Sequence, residues 1–146
     1  MAFQASNPEF EMQARASFAK QTAMTSLGAE LTRVEPGVVE ISIPYSADLT
    51  QQNGFMHAGI ITTIADTACG YAAYTLMPTN SDVLSVEFKM NLLRPATGSK
   101  FAAVAEVLKP GRTLTVVRAD VFATDEDDGR NLIATMLATM ICLRKA

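Results

Sequence analysis

The stretch QQNGFMHAGIITTIADTACGYAAYT, Gln51–Thr75, decides the reading of this 146-residue chain. It opens on polar turn residues, contains the chain's one histidine, His57, and then turns rich in Ala, Ile and Thr. Ile61, Ile64, Ala65, Ala68 and Ala72 recur at helical spacing and form an apolar stripe. The stretch therefore reads as a loop to Met56 and a helix from there to Leu76. Its many alanines and Gly70 make the helix slim, which suits close packing against a sheet. Asp66 breaks the pattern, because it is a carboxylate among apolar and small neighbours, nine residues after His57. Either the helix has a wet face there, or the carboxylate does chemistry.

On the N-terminal side, Asn7-Pro8 followed by EFEMQARASFAKQTAMTSLGA predicts one helix over 8–27, with an Asn cap and Pro in the first turn. Phe10, Ala14 and Phe18 share a face of it, and Gly28 is the stop. Two strands are expected next, Glu30–Val34 and Val38–Pro44, joined by the Glu35-Pro36-Gly37 turn. Val39, Ile41 and Ile43 alternate with Glu40 and Ser42, as in a half-buried strand.

After the long helix every signal is a strand. DVLSVEFKMNLL sets Leu84, Val86, Phe88, Met90 and Leu92 on one face and Ser85, Glu87, Lys89 and Asn91 on the other. KFAAVAEVLKP, TLTVVRADVFAT and NLIATMLATMICLRK follow, separated by short turns, of which the acidic DEDDG reads as a solvated hairpin turn. The last strand is apolar on both faces, which predicts a central or interface position. The economical architecture is α+β: one domain over 1–146, with an antiparallel sheet curved around the Ala-rich helix. An open sheet leaves edges to protect, so dimerisation is expected.

Composition narrows the function classes. With 49% hydrophobic and 18% charged residues the chain is not a disordered one. A net charge of -3 gives no electrostatic footprint for nucleic acid, although a small anionic ligand needs only a few local Lys or Arg. Cys69 and Cys142 have no metal-binding or redox spacing and are expected to be buried free thiols, and a single histidine argues against a structural zinc site. No apolar window is long enough to span a membrane, and the first residues lack an apolar signal core. A cytoplasmic protein is the expectation.

The order of elements, with GFMHAGIITTIADTACGYAAYT at its centre and SVEFKMNLLRPATGSKFAAVAEVLKPGRTL after it, resembles the hotdog fold and specifically its PaaI-like acyl-CoA thioesterases. The likeness runs over about Met12 to Leu143. It implies an antiparallel sheet wrapped around a long central helix, and homodimers with composite active sites that pair as a dimer of dimers. It also implies an acyl-CoA substrate, hydrolysed to CoA and a carboxylic acid without cofactor or metal. In that resemblance His57 matches the motif histidine and Asp66 the catalytic carboxylate. Gln51 matches the amide residue that orients the thioester carbonyl, with Asn53 a rival for the task. The amide place is Asn in some branches and Gln in others, and pairing Gln51 with Asp66 mixes two branch patterns. Ala58 stands where the family usually has the first glycine of HGG and contributes its backbone N–H, while Gly59 keeps the second glycine. Ser85 matches a serine that positions water or carboxylate in some members. Arg94, Lys109 and Arg112 fall in turns that contact CoA in family members.

The residues also carry a reading of their own. If the helix starts near His57, the N–H groups of Ala58 and Gly59 lack intrahelical partners, and the helix dipole adds positive charge at that end. An oxygen gaining negative charge during acyl transfer is stabilised there. Nine residues at about 100° each set Asp66 half a turn from His57 and roughly 13 Å along the axis. One helix cannot aim both groups at one carbon, whereas two antiparallel copies can. The expected site therefore lies between two subunits, with two sites per dimer. A different reading, a non-catalytic acyl-CoA-binding dimer, would be favoured if Gln51 and Asp66 faced away from any cavity.

Overall fold

The computed structural model of the protein describes residues 2–127 and 129–146. In chain order its elements are helices α1 (Phe10–Phe18) and α2 (Thr22–Ser26), strands β1 (Glu30–Glu35) and β2 (Val38–Pro44), helix α3 (Ala58–Tyr74), then strands β3 (Ser81–Leu92), β4 (Lys100–Lys109), β5 (Leu114–Thr124) and β6 (Arg130–Arg144). The strands form one antiparallel sheet in the order β1-β2-β4-β5-β6-β3. Helix α3 packs on every strand from β2 to β6, which is the α+β hotdog arrangement. Strand β6, apolar on both faces, lies inside the sheet between β5 and β3. Among the described residues no helix is long and apolar enough to cross a membrane.

The apolar stripe of α3 explains its place. Ile61, Ile64, Ala65, Ala68 and Ala72 are all buried in one core with Ile41, Phe101 and Val121 of the sheet. Each buried Ile contributes roughly 1.5–3 kcal/mol, and the alanines let the helix sit close to the strands. Thr75 fastens the far end of the helix. Its buried Oγ1 donates to the carbonyl of Ala72 at 2.7 Å and accepts the Gly37 N–H at 2.8 Å. Gly37 has φ +79, and a Cβ there would meet the Phe3 ring at 2.7 Å, so both backbone and space require glycine.

The expected single N-terminal helix is two. Beyond Phe18 the Lys20 and Gln21 amides close tight turns onto the Ser17 and Phe18 carbonyls. Gln21 then becomes extended, at φ -79 and ψ 100, and its side-chain amide reaches the Tyr71 hydroxyl at 3.0 Å. That tertiary bond, rather than any helix-breaking residue, coincides with the interruption. Asn7 does not sit at the cap position; its Oδ1 instead accepts the Glu9 N–H at 3.0 Å, and the helix begins at Phe10. Gly28, at φ +66, does end α2, with the Ala29 N–H on Met24 and the Gly28 N–H on Thr25. Phe10, Ala14 and Phe18 pack on the core as their spacing predicts.

Strand β3 corrects a second expectation. Its register with β6 slips between Ser85 and Glu87, where one extra residue bulges out. Ser85 pairs with buried Met140, and beyond the slip Phe88, Met90 and Leu92 pair with buried Ala138, Met136 and Ala134. Ser85 therefore shares the helix-side face with Phe88, Met90 and Leu92, while Leu84 falls on the outer face with Lys89 and Asn91. One inserted residue inverts the alternation. β3 is also one of the two edge strands of the sheet, and Leu84, Val86, Phe88 and Leu92 are 56%, 53%, 44% and 57% exposed. The DEDDG turn includes Asp128, which lies outside the described residues. Both cysteines are free thiols; Cys69 is buried, while Cys142 is half-buried rather than buried as expected.

Candidate active site

His57 caps α3 in a way the sequence reading does not anticipate. It is extended, at φ -60 and ψ 136, and its ring Nδ1 accepts the Gly59 N–H at 2.8 Å. A ring that accepts at Nδ1 carries its proton on Nε2. The His57 N–H donates to Leu49, and the Ile60 and Ile61 N–H groups both donate to the His57 carbonyl. Gly59's amide is therefore engaged, and Ala58's is the one first-turn donor without a partner among the described residues. A Cβ at Gly59 would lie 3.0 Å from Nδ1, so a side chain there crowds the capping ring.

A cavity of about 350 Å³ opens over this end of α3, lined by Gln51, Phe55, Ala58, Leu93, Arg94 and Ile133 among others. Gln51 is held by its own loop, since its Oε1 accepts the N–H groups of Asn53 at 2.5 Å and Phe55 at 3.4 Å. The acceptor end is thus engaged in the loop, which leaves the side-chain NH₂ as a donor at the cavity wall. Asn53 is exposed and does not line the cavity.

Asp66 belongs to a different cavity, of about 260 Å³, whose walls include Thr67, Gly70, Tyr71, Ser85 and Met140. The Ser85 hydroxyl donates to Asp66 Oδ1 at 2.5 Å and lies 3.4 Å from the Met140 sulfur. The β3 bulge immediately follows this serine. Burial, and secondarily the Asp66 charge, push the neighbouring Cys69 thiol far up, so it stays protonated and inert. At the other end of the cavity the Tyr71 hydroxyl bonds Ser17 at 3.1 Å and Gln21 at 3.0 Å. Tyr74 beside it is shifted upward by burial and by Asp82. No motif spacing marks these N-terminal residues as neighbours of Asp66.

One chain thus joins Gln51 to Ala58 and Asp66 to Ser85, and keeps the two pairs in separate cavities. The thioesterase superfamily pattern matches residues 53–129, more than half of the chain. The chain belongs to the thioesterase superfamily. A thioesterase family protein from Silicibacter pomeroyi is 51% identical, with a TM-score of 0.91 over 93% of this chain and 99% of that one. The proofreading thioesterase EntH of Klebsiella pneumoniae is 24% identical over 133 residues, 91% of this chain and 95% of that one. The PaaI protein of the E. coli phenylacetic acid degradation operon shares the fold, with a TM-score of 0.81 and 17% identity over 94% of each chain.

For a thioesterase of acyl-CoA-like substrates the placement of basic residues matters. Arg94 lines the cavity at the start of α3. Arg112 instead lines a small cavity with Leu76, Met77 and Arg144, past the far end of the helix, and Lys109 is exposed at the end of β4. A single subunit does not gather the three. Among the described residues no group of three His, Cys, Asp or Glu could hold a metal ion.

Proposed function

We propose that this protein hydrolyses an acyl- or aryl-CoA thioester to CoA and a carboxylic acid, acting on cytoplasmic CoA esters in sites built by two subunits. One observation carries the reading: Gln51 and Ala58 line one cavity and Asp66 with Ser85 another, with Ala58 and Asp66 both on helix α3. An antiparallel second copy of α3 brings Asp66 of the partner subunit over the Ala58 end, and the reverse. The open twelve-residue edge β3, with its exposed Leu84, Val86, Phe88 and Leu92, suits pairing with its own copy. Exposed Leu132 and Leu137 on β6 fit a further pairing of dimers.

In that site the Ala58 N–H and the Gln51 NH₂ hold the thioester oxygen and stabilise the charge it gains. Asp66 then either takes a proton from a water that attacks the carbonyl carbon, or attacks directly to give a mixed anhydride that water opens. Either way the C–S bond breaks and CoA leaves as a thiolate. His57, which lines neither cavity, supports the loop and the first turn through its bond to the Gly59 N–H. Ser85 holds the carboxylate in place. Gln51 and Asp66 both line cavities, so the placement that would favour a purely binding dimer is not the one found. A panel of aryl- and fatty acyl-CoAs with thiol detection tests the reading. Hydrolysis by the wild type and its loss in Asp66→Asn are expected; full activity in Asp66→Asn rejects the role of the carboxylate.

A further inference from the structure

We propose that Cys142 is a modification site, forming a mixed disulfide with small disulfides that carry an amide near the sulfur and anionic groups beyond it. The disulfides of CoA and of glutathione are two sources of that chemistry, since both place an amide nitrogen two carbons from sulfur. The site shares no residue with the two cavities of the proposed reaction.

Strand β6 sets Met140, Cys142 and Arg144 on one face, and Met140 and Cys142 pack against the core from it. Past the end of α3 that face opens into a cavity of about 160 Å³, where Cys142 and Thr115 meet Met77, Arg112 and Arg144. The Pro110-Gly111-Arg112 turn folds back tightly, because a Cβ at Gly111 would collide with the Leu114 carbonyl oxygen. The Cys142 N–H donates to the Thr113 carbonyl at 2.8 Å, which ties the same turn to β6. A thiol and a guanidinium group far apart in sequence are thereby held at one cavity.

Cys142 is a free, half-buried thiol, accessible where Cys69 is not. Among the described residues neither Arg112 nor Arg144 pairs with a carboxylate; Asp82, opposite Leu143 on β3, is taken by Lys145 at 3.1 Å. Two unpaired guanidinium groups beside one thiol attract an anion locally, on a chain whose net charge of -3 repels anions at a distance. Thr115 is 4% exposed, and its hydroxyl has no hydrogen-bond partner among the described residues. A buried hydroxyl left so costs free energy, and an amide entering the cavity supplies the partner. The exchange balances without another reagent. The Cys142 sulfur gives its proton to water and attacks one sulfur of the disulfide. A new S–S bond forms, the old one breaks, and the leaving thiolate takes up a proton. Cys142 is oxidised, and the departing half is reduced to a thiol.

The test incubates the reduced protein with CoA disulfide, glutathione disulfide, pantethine (the amide without the anions) and cystamine (neither amide nor anion). Intact mass and peptide mapping follow the adduct. One adduct per chain is expected, on Cys142 and removable by dithiothreitol, with Cys69 unmodified. An anionic disulfide should react about tenfold faster than pantethine at low salt, and the advantage should shrink at high salt. Whichever of CoA disulfide and glutathione disulfide reacts faster identifies the source. Replacing both arginines, Arg112→Ala with Arg144→Ala, should bring the anionic rates to within about threefold of pantethine, while Arg112→Lys with Arg144→Lys keeps most of the advantage. Thr115→Val should slow the amide-bearing disulfides by about three- to tenfold and leave cystamine unchanged. Reaction at Cys69 instead, equal rates for anionic and neutral disulfides, or an advantage that survives both high salt and loss of the two arginines overturns the proposal. If the doubly substituted protein does not fold, the salt series on the wild type decides alone. The amide's part is overturned by unchanged rates in Thr115→Val. Activity on acyl-CoA, or its lack, bears on none of these outcomes.

Discussion

Ala58→Pro isolates the proposed oxyanion donor with little disturbance of the fold. Ala58 is the first residue of α3, the helical position where proline is most at home, because its missing N–H would have no intrahelical partner. His57 before it already has φ -60 and ψ 136, the extended conformation that a following proline imposes. The Gly59, Ile60 and Ile61 amides keep their acceptors, so the first turn keeps its hydrogen bonds while the ring Cδ takes the place of the Ala58 amide hydrogen. Thermal stability should hold to within about 1 kcal/mol. Loss of one oxyanion donor costs about 3–4 kcal/mol in the transition state, so kcat should fall by about 10²- to 10³-fold. KM should rise as well, because the ring Cδ fills the place where the N–H met the substrate oxygen. Steady-state thiol release and a circular-dichroism melt are the assays, with Ala58→Ser, which retains the N–H, as the control. A kcat within about threefold of wild type in a folded Ala58→Pro protein would refute the assignment.

Four further outcomes follow from particular contacts. Ser85→Ala removes the hydroxyl that bonds Asp66 at 2.5 Å; a bond to a charged acceptor contributes about 1.5–3 kcal/mol, so kcat/KM should drop about 10- to 100-fold, with Ser85→Thr retaining most of the rate. In the native protein a thiol reagent should modify half-buried Cys142 and spare Cys69 until the chain is unfolded. Because burial raises the Cys69 thiol, its contribution to stability is complete below the ordinary thiol value of 9.0 and is lost as pH rises beyond it, since only the unfolded chain then releases the proton. The melting temperature should therefore decline above that pH, and less so in Cys69→Ala. His57→Ala removes the cap on Gly59 and should lower the melting temperature by about 2–4 °C, from a loss of about 1 kcal/mol.

Helix α3 and strand β2 were legible because a single periodicity governs each: Ile61 to Ala72 in the helix, and Val39, Ile41 and Ile43 in the strand, all of them buried. Asp66 was legible as a departure from that pattern. Its partnership with Ser85 was less so, because the β3 bulge is chosen by pairing with β6, and the apolar alternation from Leu84 to Leu92 runs through it unbroken. The division of the N-terminal helix escaped for a similar reason. Phe18 to Thr22 contains no helix breaker, and the contact that Gln21 makes at the interruption is with Tyr71, fifty residues later. The capping ring of His57 had no warning either, since histidine is not among the favoured cap residues. Arg94, Lys109 and Arg112 were grouped by their proximity to turns, but the sheet order sends the turn after β4 away from Arg94.

The central claim is that each active site takes Ala58 and Gln51 from one subunit and Asp66 from the other. Mixing two inactive variants, Ala58→Pro and Asp66→Ala, under conditions that exchange subunits tests it most directly. Each mixed dimer then holds one site with both groups intact, so an equimolar mixture should recover about a quarter of wild-type activity, half of the dimers being mixed with one working site in two. Recovery of that size is the predicted result. Subunit exchange with no recovery of activity would contradict the account.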